Sequence, residues 1–138
     1  MSDKLTRFLG PQERDYPTAL EEIRRGRKDS HWMWYIFPQL RGLGHSNMAW
    51  HYGIEDLEEA RAYLAHPVLG KRLLEITGAL LEQRESDPVR IFGWTDSLKL
   101  RSCLTLFSAA GGGEVFDRAL ERFYAGQRDG NTLELLKR

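Results

Sequence analysis

Six bulky apolar residues follow one another without interruption at positions 32–37 (W-M-W-Y-I-F). That run constrains the fold more than any other feature of the chain. A single helix or strand buries one face, whereas a run with no polar side needs protein packed all around it. Helical spacing sends Trp32 and Trp34 about 200° apart, so one is expected in the core and the other on a wall. The run lies inside residues 26–46, G-R-K-D-S-H-W-M-W-Y-I-F-P-Q-L-R-G-L-G-H-S. A basic lead-in, two histidines and a glycine-rich exit surround the aromatics there. Ser30 is expected to cap a short helix over 31–37 by accepting from backbone N–H groups. A strand is the rival reading, since Trp, Tyr, Ile and Phe also favour strands. Pro38 ends the element either way.

The rest of the chain is punctuated as short helices. Asp3 is a candidate cap for a first helix carrying Leu5, Phe8 and Leu9, which Gly10-Pro11 is expected to break. Tyr16, Leu20 and Ile23 form one stripe of the next, with Glu21, Glu22, Arg24 and Arg25 on its charged surface and Gly26 closing it. Ser46 caps a helix over 47–52, and Asp56 with Glu59 opens one through about 65, close to a capping box. His66-Pro67 starts a helix to about 84, and Asp87-Pro88 starts a turn ended by Gly93. Thr95 or Asp96 is expected to cap a helix over 97–109, with Leu100, Cys103, Leu104 and Phe107 inward. After the glycines at 111–113, Val115, Phe116, Ala119, Leu120 and Phe123 mark another helix, and Asn131 caps a last turn. The expectation is an all-α single domain over residues 1–138. It has seven or eight short helices turned at steep angles rather than a regular up-and-down bundle.

Residues 26–39 and the G-L-G-H-S at 42–46 resemble an uncharacterised family of bacterial helical proteins, the domain of unknown function eighteen-ten. Similar segments recur at 59–70 (E-A-R-A-Y-L-A-H-P-V-L-G), at Phe92-Gly93, and at 99–107 (K-L-R-S leading into T-L-F). The resemblance implies a mostly helical fold and carries no established activity, cofactor or catalytic residue. Some members of that family bear the label calpastatin. Such inhibitors resemble extended disordered repeats, whereas this chain has four tryptophans, capped helices and no repeat. Cys103-Leu104 departs from the Ser-Met that the resemblance leads one to expect.

Four constellations are candidates for chemistry. Backbone N–H groups around Gly42 and Gly44, with Ser46, could form an anion-binding nest completed by Arg27, Lys28, His31 and Arg41. No P-loop or dinucleotide fingerprint is present. A tight glycine turn and an ordinary cap is the plainer reading. His31 is the candidate acid–base group, against a structural histidine fastening the helix start. Lys99 and Ser102 fall at i, i+3 and face one side of their helix, with Asp96 placed to pair with Lys99. A solvated lysine and an in-helix serine is the simpler account. Trp32 and Trp34 are candidate pocket walls, against plain core packing.

Twenty basic residues balance twenty acidic ones, so no global field favours nucleic acid or an anionic membrane. The single cysteine permits no internal disulfide and suits a reducing compartment. The N-terminal residues lack a signal-peptide pattern, and no apolar stretch approaches a membrane span. A cytoplasmic location is expected. His31, His45, His51 and His66 show no metal-binding spacing, so no metal or cofactor is expected. These observations converge on a site for a small anionic metabolite or nucleotide, between residues 27–31, 39–46 and 99–102. Arg27, Lys28 and Lys99 neutralise charge there, and Gln39, Gly42, Gly44, Ser46 and Ser102 supply polar contacts. Trp32 or Trp34 walls the site, and any chemistry falls to His31. The alternative is a non-catalytic protein-interaction module whose motif is structural core; no particular protein partner is indicated.

Overall fold

A computed structural model describes residues 3–138. The Asp3 cap rests on a side chain outside those described. A 3-10 turn over Asp3–Leu5 leads into α1, Thr6–Arg25. There follow α2 (Met33–Ile36), α3 (Asn47–Tyr52), α4 (Leu57–Ala65), α5 (Leu69–Leu81) and α6 (Pro88–Phe92). The chain ends with α7 (Trp94–Ala109), α8 (Glu114–Tyr124) and α9 (Gly130–Leu136). The fold is all-α, with nine α-helices among the described residues where the sequence suggested seven or eight. The only extended pairing described is an isolated parallel bridge between Leu40 and Ile54. No described helix is long and apolar enough to cross a membrane.

The organising helix is α7, which packs against α4, α6, α8 and α9. Leu100, Cys103, Leu104, Leu106 and Phe107 are fully buried, covering more than one face, as befits a helix enclosed on several sides. Each large apolar side chain so enclosed contributes roughly 1.5–3 kcal/mol. Burial pushes the Cys103 thiol well above its ordinary pKa. Helix α5 lies between α1, α4 and α8.

Helix α1 corrects the expected break at Gly10-Pro11, since it continues through Gly10, Pro11 and Pro17. An interior proline costs about 3 kcal/mol in lost hydrogen bonding and ring clash. Here Phe8, Gln12, Tyr16, Ala19 and Ile23 form one unbroken buried stripe, while Pro17 is exposed. Continuous packing along that stripe outweighs the two local penalties. The helix closes at Gly26 (φ +86°), where Arg27 N donates to Glu22 O at 3.0 Å. A left-handed residue in that position favours glycine.

Several caps stand as expected. Ser46 Oγ accepts from Ala49 N, Asp56 from Glu59 N, and Asp87 from Val89 N with Pro88 at the first helical position. Others differ. His66 itself caps α5, its Nδ1 accepting from Val68 and Leu69 N–H, so the helix starts two residues beyond Pro67. Helix α7 starts at Trp94 after Gly93, because Asp96 is drawn into ion pairs rather than capping. Asp129, not Asn131, caps α9.

Candidate functional site

Two carboxylates of α1 hold the aromatic run: the Tyr35 hydroxyl donates to Asp15, and Glu22 anchors the entry to Trp32. Glu22 is 4% exposed near the end of α1. Its Oε1 accepts from Asp29 N (2.9 Å), Ser30 N (3.0 Å) and the Trp32 indole Nε1 (2.9 Å). Its Oε2 accepts from Ser30 Oγ at 2.6 Å. Burial alone would raise this carboxyl's pKa, but the four donors outweigh it and hold the group at about 2. The Ser30 hydroxyl is therefore spent on Glu22 and caps nothing. The expected helix over 31–37 shrinks to the four residues of α2, which has no side-chain cap. Sequence reasoning placed Glu22 on a solvated surface. Its spacing, three residues beyond Ala19, already put it beside the buried stripe.

Lys28 leaves this hub in the opposite direction. Its side chain is 6% exposed and its Nζ lies 2.9 Å from Asp96 Oδ2. The ammonium also donates to Ser30 O at 2.6 Å and sits 5.0 Å over the Trp32 ring. Asp96 carries a second lysine, Lys99, at 3.6 Å, and Lys99 Nζ lies 5.1 Å over the Trp34 ring. Trp32, which precedes α2 with non-helical backbone angles, and Trp34, within the helix, each face one lysine. Two ammonium groups share one carboxylate, which leaves this cluster with a surplus positive charge.

Lys99 and Trp34 form part of a narrow cleft between α2, α3 and α7. Met33, Phe37, Gln39, Ala49, Tyr52 and Gly53 complete its lining. About 230 Å³ of empty space lies within its outline, open mouth included, but the cleft as a whole admits about one water molecule. The bridge between Leu40 and Ile54 fixes one side, with Ile54 N donating to Gln39 O at 2.9 Å.

The structure gathers Lys28, Trp32, Trp34, Gln39 and Lys99 around this cleft or the ion chain beside it. The other sequence candidates lie elsewhere. Gly44 stands behind the wall, where a Cβ would come 2.7 Å from Ala49 Cβ. Gly42 has the left-handed φ of +106°; Gly44 does not. With His45, Ser46, Asn47 and Trp50 these glycines line a separate, open bowl. Arg27 is 78% exposed and pairs with Asp29 at 3.3 Å. His31 is exposed and does not line the cleft. The Ser102 hydroxyl donates to Leu98 O of its own helix, one turn back.

Residues 2–136 match the family model described as "Protein of unknown function (DUF1810)". The chain belongs to this family. Among solved structures it is similar to the conserved hypothetical protein Rv1873 from Mycobacterium tuberculosis. The two share 47% sequence identity over 97% of this chain and 96% of that one, with a TM-score of 0.95. A search of curated proteins gives no match. The family that the tryptophan-rich motif resembles is thus the family shown, and nothing in these comparisons attaches an activity to the DUF1810 fold.

Proposed function

We propose that this protein binds a small anionic metabolite at the rim of the cleft between α2, α3 and α7. The observation that carries the reading is the sharing of Asp96 by Lys28 and Lys99, with Lys99 poised over Trp34 at the cleft lining. Lys28, nearly enclosed, holds Asp96 in place; Lys99 is the cation nearer solvent and free to exchange partners. A cation beside an apolar, aromatic-walled recess is the usual composition of a small-ligand site. Lys99, Gln39 and Trp34 would touch the ligand, while Lys28 and Trp32 would position them. His31 and Ser102 are not part of this reading, because neither lines the cleft. A cytoplasmic setting fits, since the lone cysteine needs no oxidising compartment.

The test is a thermal-shift screen against carboxylates, sugar phosphates, nucleotides and dinucleotides. A ligand of the native state alone adds about 2.7 kcal/mol of stability at a hundredfold excess over Kd. The expected result is a raised midpoint that Lys99→Gln abolishes while its far-UV circular dichroism stays unchanged. A response that Lys99→Gln leaves intact would sink this placement.

A second reading, a protein-interaction module, rests on Trp94 and Leu98. They stand one turn apart on α7 and are 68% and 45% exposed. Under that reading, Trp94→Ala abolishes capture of a partner and Lys99→Gln does not.

A further inference from the structure

We propose that the anion held at Lys99 is a small monocarboxylate with a short apolar body. This inference rests on the anion-site reading above and narrows it to a ligand class. Charge balance is the first argument. Lys28, Asp96 and Lys99 together carry one surplus positive charge. A monocarboxylate cancels it. A phosphate monoester brings about −1.5 to −2 charges near pH 7, leaving negative charge crowded against Asp96. Lining chemistry is the second argument. Met33, Trp34, Phe37, Ala49 and Tyr52 present mainly carbon to the recess, so sugar hydroxyls placed there would lose their hydrogen bonds to water without replacement. An alkyl or small flat body loses nothing. Size is the third. As it stands the cleft has room for about one water molecule, far below the roughly 300–1,000 Å³ of sites that enclose drug-sized ligands. A nucleotide cannot be enclosed in it; a short carbon chain would lie at its rim and enter only if Lys99 lifted away from Trp34. In that pose Lys99 takes one carboxylate oxygen and the Gln39 amide the other.

The four tryptophans give four indole N–H signals in a proton–nitrogen correlation spectrum, and Trp34→Phe assigns the one that matters. Butyrate, inorganic phosphate and adenosine monophosphate are titrated separately into the full chain. Butyrate is expected to move the Trp34 signal saturably and leave those of Trp50 and Trp94 in place. Lys99→Gln, whose spectrum confirms its fold, should weaken the apparent Kd about tenfold or more, as for loss of one charge-assisted hydrogen bond. If phosphate or the nucleotide moves Trp34 saturably and butyrate does not, the carboxylate assignment is overturned and the anion site stands. If none of the three moves Trp34, both are overturned. If n-butanol matches butyrate, the cleft recognises only the apolar body and the carboxylate assignment fails.

Discussion

Replacing Glu22 with glutamine keeps the shape of the hub and removes its charge. The amide oxygen can keep the three donors at Oε1. The amide nitrogen can donate to Ser30 Oγ, because a hydroxyl accepts as readily as it donates. What disappears is the advantage of the ionised form. The carboxyl sits at about 2 against an ordinary 4.5. At 1.36 kcal/mol per pKa unit, ionisation in the folded state contributes roughly 3 kcal/mol. Because the folded pKa is depressed, this stability is present above about pH 4.5 and is lost as pH falls toward 2. Glu22→Gln should therefore be about 3 kcal/mol less stable than the parent at pH 7, and the gap should close across that acid window. Urea denaturation followed by far-UV circular dichroism at pH 7, 4, 3 and 2 reads it directly. Taking the difference between the two proteins cancels the other carboxylates. A gap that stays constant with pH, or no gap at pH 7, would refute the claim that Glu22 is an ionised buried acceptor.

Three further perturbations separate packing from charge. A Cβ at Gly70 would lie 2.0 Å from the Leu64 carbonyl oxygen and 2.8 Å from its carbon, so Gly70→Ala must push α4 off α5. A loss of about 3 kcal/mol or more is expected, read as a fall of roughly 10 °C in Tm. Arg7 and Glu59 form a pair at 2.8 Å with side chains 12% and 6% exposed. Arg7→Met strands the carboxylate and should cost about 3–5 kcal/mol, much of it recovered in the double variant with Glu59→Gln when both are compared by urea denaturation. Ser102→Ala should leave stability within about 0.5 kcal/mol and ligand response unchanged, since the hydroxyl only donates within its own helix; a lost thermal-shift response would contradict the cleft as drawn.

Local rules made much of the fold legible. Ser46, Asp56 and Asp87 cap helices because the groups they satisfy lie two or three residues away. Leu100, Cys103, Leu104 and Phe107 are buried because helical spacing alone puts them on the enclosed side of α7. The misreadings occur where a distant partner outbids the local one. Ser30 looks like a cap in sequence but answers to a carboxylate eight residues back. Asp96 looks like a cap but is claimed by Lys28, at the start of the distant aromatic motif. Gly10-Pro11 looks like a break, yet the stripe from Phe8 to Ile23 holds the helix together. The candidate site shows the same division. The pairing of Asp96 with Lys99 is a one-turn relation and could be read. The polar members of the α1 stripe escaped notice. Gln12 donates to Tyr35 O and Tyr63 Oη, and Glu22, whose residue type suggests a solvated surface, is buried by its position beside the stripe.

The sealing of Cys103 has a practical consequence. The thiolate is the nucleophile that attacks thiol-modifying reagents, and here the sulfur is both fully enclosed and disfavoured from ionising. No other sulfhydryl exists in the chain, so in the native state no accessible thiolate is offered to maleimides or disulfide reagents. Label taken up under native conditions counts molecules that have opened around α7, the helix against which four others close. The protein carries its own unfolding clock, and a cysteine engineered onto its surface can be tagged alone.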